Sequence, residues 1–79
     1  MPRVSWNELI RFLEKEPGYQ VVRQRGSHVV IQKQVPSGKN TVSVPLHKVI
    51  AKGTLNDILA YVATPHGMSK EELLNRLAL

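Results

Sequence analysis

Apolar residues recur early in the chain at Trp6, Leu9, Ile10 and Leu13, the three-and-four spacing that keeps side chains on one face of a helix. Ser5, with Glu8 three residues on, forms a capping box ahead of them, so the pattern predicts a helix over 6–16. Pro17-Gly18 ends it, because proline cannot continue the hydrogen-bond ladder and glycine accepts the left-handed conformation that follows many helices.

The period then shortens from 3.6 to 2. Runs rich in β-branched residues at 19–24 and 27–34, joined across Arg25-Gly26, predict a hairpin. Residues 36–40, Pro-Ser-Gly-Lys-Asn, read as a five-residue loop, and the alternation of Thr41, Val42, Ser43 and Val44 reads as a third strand stopped by Pro45. On the middle strand the two-residue period sends Val29 and Ile31 to one face and His28, Val30 and Gln32 to the other. His28 is then exposed, and Val30 is an apolar residue on a face meant for solvent.

Helical spacing returns at Leu55, Ile58, Leu59 and Val62, after an irregular stretch over 46–52. Thr54, following Gly53, is the expected N-cap, with Asp57 near the positive end of the helix dipole. A third helix is expected from Ser69, whose capping partner is Glu72, with Leu73, Leu74 and Leu77 as apolar anchors. Three strands alone cannot hide an apolar side, so the helices must cover one face of an antiparallel sheet and leave the other open. The expectation is one α+β domain over 1–79.

Charge sharpens this picture. The chain carries eleven Lys plus Arg against six Asp plus Glu, a formal charge of +5. No carboxylate lies between Pro17 and Asn56, whereas that segment holds Arg23, Arg25, Lys33, Lys39, Lys48 and Lys52. Such segregation suits a polyphosphate, because each cation that neutralises a phosphate releases a counterion. An acidic protein surface is the competing partner, and a solvated face kept for solubility is the bland alternative.

Composition closes several other routes. Without cysteine there is no disulfide and no thiolate zinc site, which suits a reducing, cytoplasmic setting. The three histidines lack close ligand spacing and the basic segment offers no carboxylates, so neither a metal nor a cofactor is expected. The five glycines are scattered singly, unlike a nucleotide-binding loop. The amino-terminal stretch has no signal-like apolar run, and 58–63 is too short to span a bilayer, so no membrane association is expected. With one tryptophan, two tyrosines and one phenylalanine, no aromatic platform for stacking bases is available, and recognition should lean on backbone and shape.

The best candidate for chemistry is Arg25-Gly26-Ser27-His28, where a tight turn delivers an imidazole to the start of a strand near Arg23 and Arg25. Cleavage of RNA by its own 2′-hydroxyl needs one group to take a proton, one to protonate the leaving oxygen, and positive charge over the phosphorane. Histidine, with an ordinary pKa of about 6.5, suits the proton transfers, and Arg or Lys suits the charge. Taken alone, a strand histidine is more often an ordinary surface residue. Ser27 could touch phosphate or steady the ring, although serine in a turn is usually turn chemistry. His47 is a second candidate acid or phosphate contact, with Lys48 and Lys52 adding charge beside a helix start. A loop histidine held by backbone is its plainer reading. His66 sits in a turn and carries no functional weight.

Gly18-Tyr19, Val22 to His28, Val44-Pro45-Leu46-His47 and Lys52-Gly53-Thr54-Leu55, in that order and spacing, resemble the HicA family of bacterial toxins, through about Val62. The resemblance implies a fold like double-stranded-RNA-binding domains, in the order αβββα with an extra carboxy-terminal helix. It implies an mRNA endoribonuclease that acts without the ribosome, with the histidine of Gly-Ser-His, here His28, as the catalytic residue. A cognate HicB antitoxin that blocks the active face is implied too, with operator DNA reached only through that antitoxin. Relative to many relatives, Val29 stands where a polar or aromatic residue follows the histidine, and the 36–40 loop reads as longer. Two other classes compete: a non-catalytic module that grips duplex RNA, and a protein-interaction domain that docks an acidic partner.

Overall fold

The computed structural model of the protein describes residues 3–15 and 17–78. Helix α1 (Trp6–Lys15) is followed by strands β1 (Gln20–Arg25), β2 (His28–Val35) and β3 (Gly38–Pro45), then helix α2 (Lys52–Ala63), a 3-10 turn (Thr64–His66) and helix α3 (Lys70–Ala78). The strands form one antiparallel sheet in the order β1-β2-β3. This is the expected α+β arrangement of the double-stranded-RNA-binding-domain type, with helices on one face of three strands and a further helix at the end.

Both capping boxes form. At α1 the Glu8 amide donates to Ser5 Oγ at 3.2 Å while Glu8 Oε1 accepts from the Ser5 amide at 3.2 Å. At α3 the same exchange joins Ser69 and Glu72, at 3.1 and 3.3 Å. Each pair satisfies two backbone donors that a helix start otherwise leaves open. At the far end of α1 the amides of Gly18 and Tyr19 both donate to the Leu13 carbonyl, and Gly18 takes φ +87°. Glu16, assigned above to this helix, lies outside the described residues.

The core forms where the helices meet the inner sheet face. Leu9 and Leu13 of α1, Leu55, Leu59 and Val62 of α2 and Leu73 of α3 pack with Val29, Ile31, Val42 and Val44 of the sheet, all buried. Fully burying such a side chain contributes about 1.5–3 kcal/mol. The face assignment read from the period of β2 therefore holds. The helices leave β1 largely uncovered, and its six residues are all exposed. Val22 is an extra residue there, a bulge between the pairs Val21–Ile31 and Arg23–Val30.

Three local expectations give way. The hairpin turn is Gly26-Ser27 rather than Arg25-Gly26, since Arg25 pairs with His28 across it and Gly26 supplies the positive φ of +56°. The 36–40 loop is a two-residue turn, Pro36-Ser37, because the ladder continues through Val35–Gly38, Gln34–Lys39 and Lys33–Asn40. Asn40 is then a buried strand residue, and its side-chain oxygen accepts from the hydroxyl of buried Tyr19. That partner, far away in sequence, satisfies a polar group that composition assigns to a loop. Finally, α2 starts at Lys52, so Thr54 is not its N-cap. Ala51 holds that position, in extended conformation and with no side-chain cap. The start is set by tertiary contact: buried Ile50 donates its amide to the Val4 carbonyl at 2.8 Å, and the helix begins as soon as that tie is made.

Candidate active site

The turn Gly26-Ser27 places His28 at the first position of β2, directly opposite Arg25 on β1 and Pro45 on β3. A second backbone tie, from the Leu46 amide to the Ser27 carbonyl at 2.8 Å, fixes this end of the hairpin against the end of β3. The imidazole is exposed. Around it Arg23, Arg25, Val30, Thr41 and Ser43 line an open hollow of about 480 Å³.

Strand register explains the gathering. Arg25 and His28 are cross-strand partners, Arg23 sits opposite Val30, and Val30 sits opposite Ser43, so all belong to the face turned away from the helices. Val30 is 6 % exposed although it lies outside the core cluster. It is the floor of the hollow, covered by the longer side chains around it. This settles the awkward valine of the sequence, which is buried on the outer face among the side chains that line the hollow.

The other sequence candidates are placed differently. Ser27 Oγ stands 3.5 Å from His28 Nδ1, at the limit of a hydrogen bond. His47, Lys48 and Lys52 are exposed but do not line the hollow. The His47 backbone has work of its own, since its carbonyl accepts from the Trp6 amide at 3.1 Å and so occupies one of the open donors at the start of α1. Thr41 and Ser43, missed as site residues, bring hydroxyls from β3. Their alternation was visible, but only the register puts them beside His28.

His66, given no role from sequence, belongs to the structural side. Its Nδ1 donates to the Val62 carbonyl at 2.8 Å, which fixes the tautomer, and its Nε2 accepts from Lys33 Nζ at 2.8 Å. The ring also lies against Tyr19, centroids 6.0 Å apart. Burial, aided by the nearby Tyr61 phenol, pushes the Tyr19 hydroxyl up to about 12. Among the described residues no three His, Asp or Glu side chains gather to ligate a metal ion.

A hollow of cations, hydroxyls and one imidazole on a sheet with no carboxylate is matched by kinship. The family model for the HicA toxin of bacterial toxin-antitoxin systems matches residues 6–62. The chain belongs to the HicA toxin family. Neither the search of curated proteins nor that of solved structures found a match. The HicA match takes in α1, all three strands and α2 nearly to its end, so it covers every residue lining the hollow and leaves out α3. Membership assigns a toxin role and implies an antitoxin partner. No helix among the described residues is long and apolar enough to cross a membrane.

Proposed function

We propose that this HicA toxin is an mRNA endoribonuclease that works without a metal and uses His28 for proton transfer, acting in the cytoplasm. One observation supports the reading above all: an exposed imidazole sits with Arg23 and Arg25 in one hollow, on a sheet face built from a segment without carboxylates.

In the reaction the 2′-oxygen attacks the adjacent phosphorus as its proton passes to a base, and the P–O5′ bond breaks as that oxygen gains a proton. The products are a 2′,3′-cyclic phosphate and a 5′-hydroxyl. No oxidant, nucleotide or water is consumed. His28 brings to the hollow an imidazole, a group that can take or give a proton in either transfer. Arg23 and Arg25 balance the charge that grows on the non-bridging oxygens. Ser43 and Thr41 can donate hydrogen bonds to the same oxygens. His47, Lys48 and Lys52 extend the basic surface beyond the hollow and serve as backbone contacts.

The matching partner is a HicB-type antitoxin that covers the His28 face, with any operator contact made through the antitoxin. The test compares purified parent and His28→Ala on a labelled transcript with and without EDTA, alongside growth arrest on expression. Cleavage should fall by about 10²–10⁴-fold in the variant and be untouched by EDTA. Full cleavage by His28→Ala removes the residue from the mechanism. RNA binding without turnover in the parent instead selects the duplex-binding module.

A further inference from the structure

The open sheet face continues past the hollow around His28. Toward the other end of the strands, Gln20, Val22, Gln32, Gln34 and Lys39 border a second depression of about 410 Å³. Gln20 and Gln32 are direct cross-strand partners, as are Gln34 and Lys39, and Lys33 also lines the depression with its ammonium held by His66, so three carboxamides share the patch with two lysines. Gln34 turns its amide to the Val35 carbonyl at a long 3.5 Å. The side chains of Gln20 and Gln32 hydrogen-bond to no described residue. Val22, pushed out by the bulge, gives the depression an apolar wall.

This patch differs in chemistry from its neighbour. The His28 end carries fixed positive charge, which grips phosphate regardless of sequence. The glutamine end, besides its two lysines, carries three neutral groups that each offer a donor and an acceptor in one plane, the pairing that base edges use. Gln32 lies four steps beyond His28 on β2, about 13 Å along the strand. A polynucleotide whose backbone lies at His28 and runs along this face therefore brings a neighbouring nucleotide over the carboxamides. No carboxylate on these strands repels it, and Lys39 stands ready for its phosphate.

We propose that Gln20, Gln32 and Gln34 form a base-reading subsite for an unpaired nucleotide of the RNA bound at His28. This rests on the nuclease reading for the ligand's identity, and it goes beyond that reading by placing sequence preference in neutral side chains away from the reacting bond. The nucleotide must be unpaired for two reasons. In a duplex the major-groove edges are too deep for side chains, and A-form stacking holds the 2′-oxygen away from the line of attack that cleavage needs. With no aromatic side chain in the depression, edge hydrogen bonds rather than stacking do the reading.

The test separates this subsite from catalysis by working first in the His28→Ala protein. Binding of labelled single-stranded and duplex oligoribonucleotides is measured over a salt series, with and without Gln20→Ala and Gln32→Ala together. Losing the two amides should weaken single-strand binding about 10-fold at every salt concentration, with the salt slope unchanged and duplex binding little affected. Arg23→Ala should instead lower the slope by about one. In the catalytically intact protein the double change should redistribute cut sites along a defined transcript. Unchanged single-strand affinity with an unchanged cut pattern overturns the proposal while leaving the nuclease reading in place, and so does equal weakening on duplex. If His28→Ala cleaves like the parent but the glutamine changes still weaken single-strand binding, the subsite stands and the mechanism falls. No RNA binding by any of the proteins, with tight binding of an acidic antitoxin domain over the glutamines, overturns both.

Discussion

The two faces of the sheet share a backbone and differ in what their side chains meet. Along β2, Val29 and Ile31 point to the helices and are buried, while His28, Gln32 and Gln34 point to the other face. On the inner face even the polar atoms are engaged, Tyr19 with Asn40 and Lys33 with His66. On the outer face His28 has one marginal contact with Ser27, and the amides of Gln20 and Gln32 have no protein partner among the described residues. A group with its hydrogen bonds already made serves stability, whereas an unengaged one is free to serve a ligand. Stability and binding are thereby assigned to opposite faces of one strand, and perturbations should separate accordingly.

The hardest test of that separation is His28→Ala. The 10²–10⁴-fold loss of cleavage expected above should leave the urea midpoint nearly unchanged, within about 0.5 kcal/mol. The converse is Leu59→Ala, at a fully buried position of α2. It should cost about 2–5 kcal/mol in urea unfolding, a large share of the stability of so small a domain. RNA cleavage per folded molecule should not change.

The inner polar pair gives a pH test. Tyr19 ionises near 10 when unfolded and near 12 when folded, so the fold favours its neutral form. That contribution is fully present below pH 10 and is lost as pH rises through 12. Tyr19→Phe should remove this alkaline step and cost about 1–3 kcal/mol at neutral pH by leaving buried Asn40 unpaired. Thermal melts at pH 7 and across pH 9–12 check both outcomes. The smallest effect is expected at the uncapped start of α2, where Ala51→Ser supplies the missing acceptor and should raise stability by about 0.5–1 kcal/mol without touching either face.

How far the chain could be read in advance depended on how local each cause was. Ser5 with Glu8 and Ser69 with Glu72 act within one turn of helix, and both boxes form as their spacing implies. The alternation of β2 is likewise local, and it assigned His28 to the open face. The 36–40 stretch misled because Pro, Ser, Gly and Asn favour turns on their own. Asn40 is held in a strand by Tyr19, twenty-one residues earlier, a contact that no nearest-neighbour preference carries. Thr54 misled in the same way, since the tie of Ile50 to Val4 starts the helix earlier than its best capping residue.

From its order of residues alone this protein acquires its helix starts, the period of its strands, its carboxylate-free middle and its resemblance to a toxin family. Each of these is a property of neighbours in the chain or of composition. Tertiary structure alone decided that Arg23, Arg25, Thr41 and Ser43 surround His28 over a valine floor, and that three glutamines form a patch beside them. Those groupings depend on strand register, which is set by where a two-residue turn falls, by one bulge and by which apolar side chains the helices bury.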